Sequence, residues 1–196
     1  MSAIVRFLKK GGNIDVYSNS KACFFTKGVG RHKEKLASFE LALRRAGISH
    51  FNLVRVSSIF TPHCKIISKP KGVDMLRSGE IVYCVMADNA ANESEQLVVA
   101  SIGLAVPTDK NRYGYLSEHH AHGITMKKCG DYAEDLAASM LATTLGLSDE
   151  DSLSYDEKKK HWQMMKMIVK TTNITQSAIG KNGLWTTCIA VAVFVP

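Results

Sequence analysis

The sequence predicts an α+β sandwich with largely antiparallel sheets. Strand-like stretches lie on both sides of two main helical stretches, an order that suits sheets with helices kept to their outer faces. The regular strand–helix alternation of a doubly wound parallel sheet is absent. Residues 97–106 are apolar with small residues among them, the pattern of a central strand covered on both faces.

Residues 1–21 mix apolar, glycine, asparagine and serine residues without a period and read as an N-terminal extension. Residues 22–196 read as one domain, with no internal repeat and no linker. Residues 22–26 suit a strand. Lys27-Gly-Val-Gly30 reads as a turn, because glycine tolerates positive φ; it lacks the spacing of a phosphate-binding loop. Residues 34–46 read as a helix, with Leu36, Phe39, Leu43 and Ala46 at helical spacing and Gly47 as the stop. Residues 51–56 read as a buried strand that runs into Ser57 and Ser58 and is stopped by Pro62.

Residues 73–76 suit one helical turn and 81–87 an apolar strand, followed by the polar turn Asp88-Asn-Ala-Ala-Asn-Glu-Ser94. Residues 113–118 suit another strand. Residues 131–145 read as an amphipathic helix ended by Gly146, with Tyr132, Leu136, Met140 and Leu141 on or near one face. Residues 148–160 form a charged segment, loop-like or helical. A strand is expected within 164–174, and a β-branched final strand over 184–195.

The composition restricts the function classes. With 196 residues, 45% hydrophobic and 22% charged, the chain can bury one ordinary globular core. No apolar run approaches the roughly 18 residues that span a membrane, and the N-terminus has too few apolar residues before its lysines for a secretion signal. The cytoplasm is therefore the expected location, with no membrane partner. The five cysteines are odd in number, widely spaced and without a CxxC pair, which speaks for free thiols rather than zinc or a disulfide framework. The net charge of +7 is spread along the chain, and no aromatic residues alternate with the basic groups, so no nucleic-acid partner is expected. For His119, His120 and His122 no Cys or acid completes an obvious ligand set beyond Glu118, and on a strand 119 opposes the other two. No metal is expected there.

The chemistry centres on Ser57 and Ser58. Serine pairs are common, and this one alone would read as a strand end capping a turn. A hydroxyl next to a rigidly held peptide can do more: Ser58 can attack the carbonyl of Ser57 and turn the peptide into an ester. That attack needs a donor near the developing oxyanion, for which Asn52 and backbone amides are candidates.

Three segments, Leu36-Ala-Ser-Phe-Glu-Leu-Ala-Leu-Arg-Arg-Ala-Gly-Ile48 with Asn52-Leu-Val-Arg-Val-Ser-Ser-Ile59, Ala100-Ser-Ile-Gly-Leu-Ala-Val-Pro-Thr-Asp-Lys110, and Tyr115-Leu-Ser-Glu-His119, resemble the conserved blocks of the pyruvoyl-dependent arginine decarboxylases. The likeness covers roughly residues 22–195. It implies a four-layer αββα sandwich and a homotrimer of cleaved protomers, or a dimer of trimers. It implies self-cleavage between Ser57 and Ser58, with Ser58 becoming the covalent pyruvoyl cofactor. That ketone would form a Schiff base with the substrate and act as the electron sink that decarboxylation requires. Ser57 would become the carboxyl end of the small chain and line the substrate site. Asn52 would assist cleavage and line the site, and Glu118 would return a proton to Cα.

Glu40 and Leu36 stand where the family binds the distal cation of a cationic amino acid. Archaeal members carry Asp at the first of these places, and Glu is longer by one carbon–carbon step, about 1.5 Å. The implied reaction is L-arginine to agmatine. The same chemistry on ornithine or lysine is one alternative, and an unprocessed paralogue acting as a binding or scaffold subunit is another.

Overall fold

The computed structural model describes residues 20–146 and 168–196. The expectations for residues 1–19, for 148–160 and for the start of the 164–174 strand fall outside them. The elements are β1 (Ala22–His32), α1 (Lys35–Ala46), β2 (Asn52–Arg55), β3 (Ile59–Phe60), β4 (Lys65–Ile66), α2 (Lys69–Asp74), β5 (Ile81–Ala91), β6 (Leu97–Pro107), β7 (Gly114–His122), α3 (Met126–Thr144), β8 (Ile168–Ile179) and β9 (Trp185–Val195).

Alternation along the strands sorts side chains into separate cores. On β5 and β9, Val85, Ala87, Cys188, Ala190, Ala192 and Phe194 turn to one side and meet Val98, Ala100, Ile102 and Leu104 of β6. The intervening Val82, Cys84, Met86, Ile189, Val191 and Val193 turn to the other side and meet Ala42 and Ala46 of α1. A third cluster joins Ala105 of β6 to Ala137, Ala138 and Leu141 of α3. Helix, sheet, sheet and helix thus lie in four layers, as the resemblance implied.

The first sheet has the order β2-β5-β9-β1-β4 and the second β3-β7-β6-β8. The β2–β5 and β1–β4 pairs are parallel, while β1–β9, β5–β9, β3–β7, β6–β7 and β6–β8 are antiparallel. The central strand β6 is buried almost throughout. None of the helices among the described residues is long and apolar enough to cross a membrane.

Several sequence expectations need correction. Lys27-Gly-Val-Gly30 is no turn, because β1 runs through it. The glycines are there for contact: a Cβ on Gly28 would meet Ala42 O at 2.1 Å, and one on Gly30 would meet Ser38 O at 1.9 Å. Bare backbone lets α1 lie directly on β1. The strand leading to the serines is an edge strand, and Asn52, Val54 and Arg55 are exposed rather than buried. The stretch from Asp88 to Ala91 belongs to β5 instead of a turn. Helix α3 starts at Met126, five residues before the apolar period begins, because Thr125 Oγ1 accepts from Lys128 N–H and caps it. The helix over 34–46 does form, and Gly47 closes it at φ 74°.

Candidate active site

The serine pair carries the chain from one sheet to the other. It leaves β2 at the edge of the first sheet and enters β3 at the edge of the second. Each side of the crossing is fixed: Val56 N–H donates to Cys84 O at 3.0 Å, and Leu116 N–H donates to Ser58 O at 2.8 Å. Between these anchors, Ile59 N–H turns back and donates to the Ser57 carbonyl at 2.8 Å. Ser57 is exposed and Ser58 half-buried. Ser57 lines a cavity of about 320 Å³ with Val56, Ile59, Thr61, Tyr83 and Phe194.

Glu118 comes from β7, in register with Ile102 of β6. Ile102 and Leu116 face the other sheet, so strand alternation turns Glu118 to that same side. Solvent reaches it. Partial burial nonetheless pushes its carboxyl above the ordinary value; Arg55 pulls it down, Asp88 pushes it up and His120 pulls it down. Arg55 Nη1 and Asp88 Oδ1 form an ion pair of 2.7 Å.

That pair also lines a cavity of about 410 Å³ together with Lys35, Leu36, Phe39 and Thr187. Leu36 is 80% exposed, the largest exposure among the large hydrophobic residues described. Glu40, one turn on, pairs with Arg44, Oε1 to Nε at 2.5 Å. Asn52 Nδ2 donates to Gly79 O at 2.7 Å. His119 lies against Tyr132 with ring centroids 4.4 Å apart, while His120 and His122 pair with Ala100 and Val98 on the other face of the strand. Among the described residues no group of three His, Cys, Asp or Glu could hold a metal.

A family model described as pyruvoyl-dependent arginine decarboxylase matches residues 22–196. The chain belongs to the pyruvoyl-dependent arginine decarboxylase family. It is 56% identical over 173 residues to a Chlorobium limicola protein named "Probable pyruvoyl-dependent arginine decarboxylase", covering 88% of this chain and 96% of the relative. It is 51% identical over 176 residues to the pyruvoyl-dependent arginine decarboxylase of Methanococcoides burtonii, covering 89% and 98%. It is 48% identical over 176 residues to pyruvoyl-dependent arginine decarboxylase 2 of Methanosarcina acetivorans, covering 89% and 96%.

The site suits the cofactor that this family name carries. Ser58 is the serine from which a pyruvoyl group could arise, its peptide is held on both sides, and a cavity opens beside it. In this chain, however, the predicted residues do not meet in one place, and neither Asn52 nor Glu40 lines either cavity. Ser57 lines one cavity and Leu36 another. Glu118 is linked electrostatically to the second cavity through Arg55 and Asp88. Sequence reasoning missed those two residues. Arg55 was visible as a lone cation two residues before the serine pair, whereas Asp88 was hidden in a segment read as a turn.

Proposed function

We propose that this chain cuts itself between Ser57 and Ser58 and that the mature protein decarboxylates L-arginine to agmatine. The observation that carries the reading is the Ser57–Ser58 peptide, held between Cys84 of one sheet and Leu116 of the other within a segment matching the family. A pyruvoyl group at position 58 would supply the ketone, as electrophile for the substrate's α-amine and as sink for the electron pair that departing carbon dioxide leaves on Cα. The chain's own residues do the rest. Glu118, whose carboxyl is held above its ordinary value, stays protonated further toward neutral pH and donates to Cα. Leu36 forms an apolar wall for the substrate's methylenes, and the Glu40 carboxylate meets the distal cation. Ser57 lines the opening, and Asn52 is the residue that would line the completed site.

The split between the two cavities supports a site completed by a second copy. Val54 and Tyr83 are paired across β2 and β5 and are 40% and 52% exposed, with Ile81 beside them at 63%. Tyr83 and Ile81 alternate with Val82 and Cys84, so they face the side of the sheet that carries the other sheet further along, yet here they are uncovered. This apolar strip borders the Ser57 cavity. A second copy seated there would cover the strip and bring a Leu36–Glu40 helix toward Ser58, consistent with a homotrimer or a dimer of trimers. Covering Glu118 would raise its pKa further. We also place the protein in the cytoplasm, where its five cysteines, all unpaired, would stay reduced.

The test is production of agmatine and carbon dioxide from arginine by the purified protein, with lysine and ornithine alongside. A cleaved chain that prefers ornithine or lysine would support the same chemistry with a shorter pocket. An uncleaved, inactive chain would support a scaffold subunit.

A further inference from the structure

We infer that the backbone N–H of Ile59 is the oxyanion donor for self-cleavage at Ser57, an inference that rests on the self-processing reading above. Three observations on the cleavage segment carry it. Ile59 N–H donates to the Ser57 carbonyl oxygen at 2.8 Å, across a single residue. The neighbouring Ser58 carbonyl is taken by Leu116 N–H, so the two carbonyls flanking Ser58 have separate donors. The side-chain amide of Asn52, the other candidate donor, is directed to Gly79 O at 2.7 Å.

The hydrogen bond points at the atom where charge develops. Ser58 Oγ attacks the Ser57 carbonyl carbon, a C–O bond forms, and the π pair moves onto the carbonyl oxygen, where Ile59 N–H already sits. The Oγ proton passes to the Ser58 nitrogen, the C–N bond breaks as the oxyanion collapses, and an ester remains. Loss of the Ser58 Cα proton then expels Ser57 as a carboxylate and leaves dehydroalanine. One water converts it to the ketone and releases ammonia. The same N–H faces the carboxylate that departs, so one donor serves negative charge in both steps. A donor held in place before reaction needs no reorganisation as charge appears. The return hydrogen bond also fixes the Ser57 carbonyl relative to Ser58, which limits how far the attacking hydroxyl must search.

The test replaces the N–H with an oxygen while keeping the side chain. Full-length chain carrying 2-hydroxy-3-methylpentanoic acid at position 59 is made by translation with a charged hydroxy acid, and the 57/58 cut is followed by intact mass. The same ester replacement at Phe60, with phenyllactic acid, controls for the loss of a backbone amide. The expected result is a cut about a hundredfold slower at position 59, with the Phe60 ester within about threefold of the natural chain. An ester after Ser58 makes its Cα proton more acidic and favours elimination, so slower cutting would report the first step. Equal rates for the position 59 ester and the natural chain would overturn the assignment, as would equal slowing by both esters. If the natural chain never cuts, the self-processing reading itself fails, and this assignment goes with it.

Discussion

Arg55 Nη1 and Asp88 Oδ1 lie 2.7 Å apart, and the two charges act on Glu118 in opposite directions. Arg55 alone would favour the carboxylate, the wrong form for an acid that must donate a proton. Asp88 offsets part of that pull, and burial, which raises the pKa, is the largest single influence on Glu118. The ion pair is partly exposed, at 50% and 36% of the two side chains, so its value lies in setting this balance rather than in stability.

The pair therefore predicts a pH effect with a definite sign. Activity that requires protonated Glu118 falls as pH rises through its pKa. Asp88→Asn removes a charge that raises this pKa, so the alkaline limb of kcat should move to lower pH. Arg55→Met removes a charge that lowers it, so the limb should move to higher pH. Profiles of kcat against pH on fully processed variants check both; a shift in the same direction for both would refute the balance.

Glu118→Gln should separate maturation from catalysis. The amide keeps the shape of the side chain and cannot donate the proton, so the chain should still be cut while decarboxylation slows by roughly 10²–10⁴-fold. Single-turnover rates on the cleaved variant make the measurement, and near-normal turnover would remove Glu118 from the mechanism.

Much of this site was legible because short patterns carried it. The Ser57–Ser58 pair, Glu118 in Tyr115-Leu-Ser-Glu-His119 and the Leu36–Glu40 spacing are local, and each fell on the element expected. The errors arose where neighbours in space decide. Gly28 and Gly30 could equally have supplied positive φ or close approach, and only the position of α1 distinguishes these uses. Val54 and Val56 are apolar whether their strand is central or at an edge, and the edge position follows from pairing with β5 alone. Asp88 and Asn89 have the composition of a turn, yet they extend β5. Asn89 holds its place there by donating from Nδ2 to Ala121 O of the facing sheet at 2.9 Å.

Gly30→Ala should destabilise the fold without touching the chemistry. The added methyl would meet Ser38 O and Ala42 N at 1.9 and 2.5 Å, forcing α1 away from β1. The expected loss is about 1–3 kcal/mol, typical of overpacking, read as a lower urea midpoint with cutting still complete at low temperature. An unchanged midpoint would mean that α1 does not lie on β1 as described.

Glu40 is the test of specificity. Removing its charge leaves the substrate's cationic end without a charged partner, a loss of about 1.5–3 kcal/mol or roughly ten- to hundredfold in kcat/KM. Glu40→Gln should show that loss and still be cut. Glu40→Asp should lengthen the pocket and raise the arginine-to-ornithine ratio. Assays of arginine, lysine and ornithine on processed protein decide it, and unchanged ratios in both variants would place Glu40 outside the pocket.

The central claim is that this chain makes its own cofactor from Ser58, and intact mass tests it most directly. The natural protein should resolve into fragments of about 6 and 15 kDa, the 21.5 kDa chain divided after residue 57 of 196. The larger fragment should begin with a ketone in place of the Ser58 amine, and Ser58→Ala should remain one inactive chain because it has no hydroxyl to attack. A natural chain that stays whole, or a Ser58→Ala chain that still divides at this peptide and decarboxylates arginine, would contradict the account.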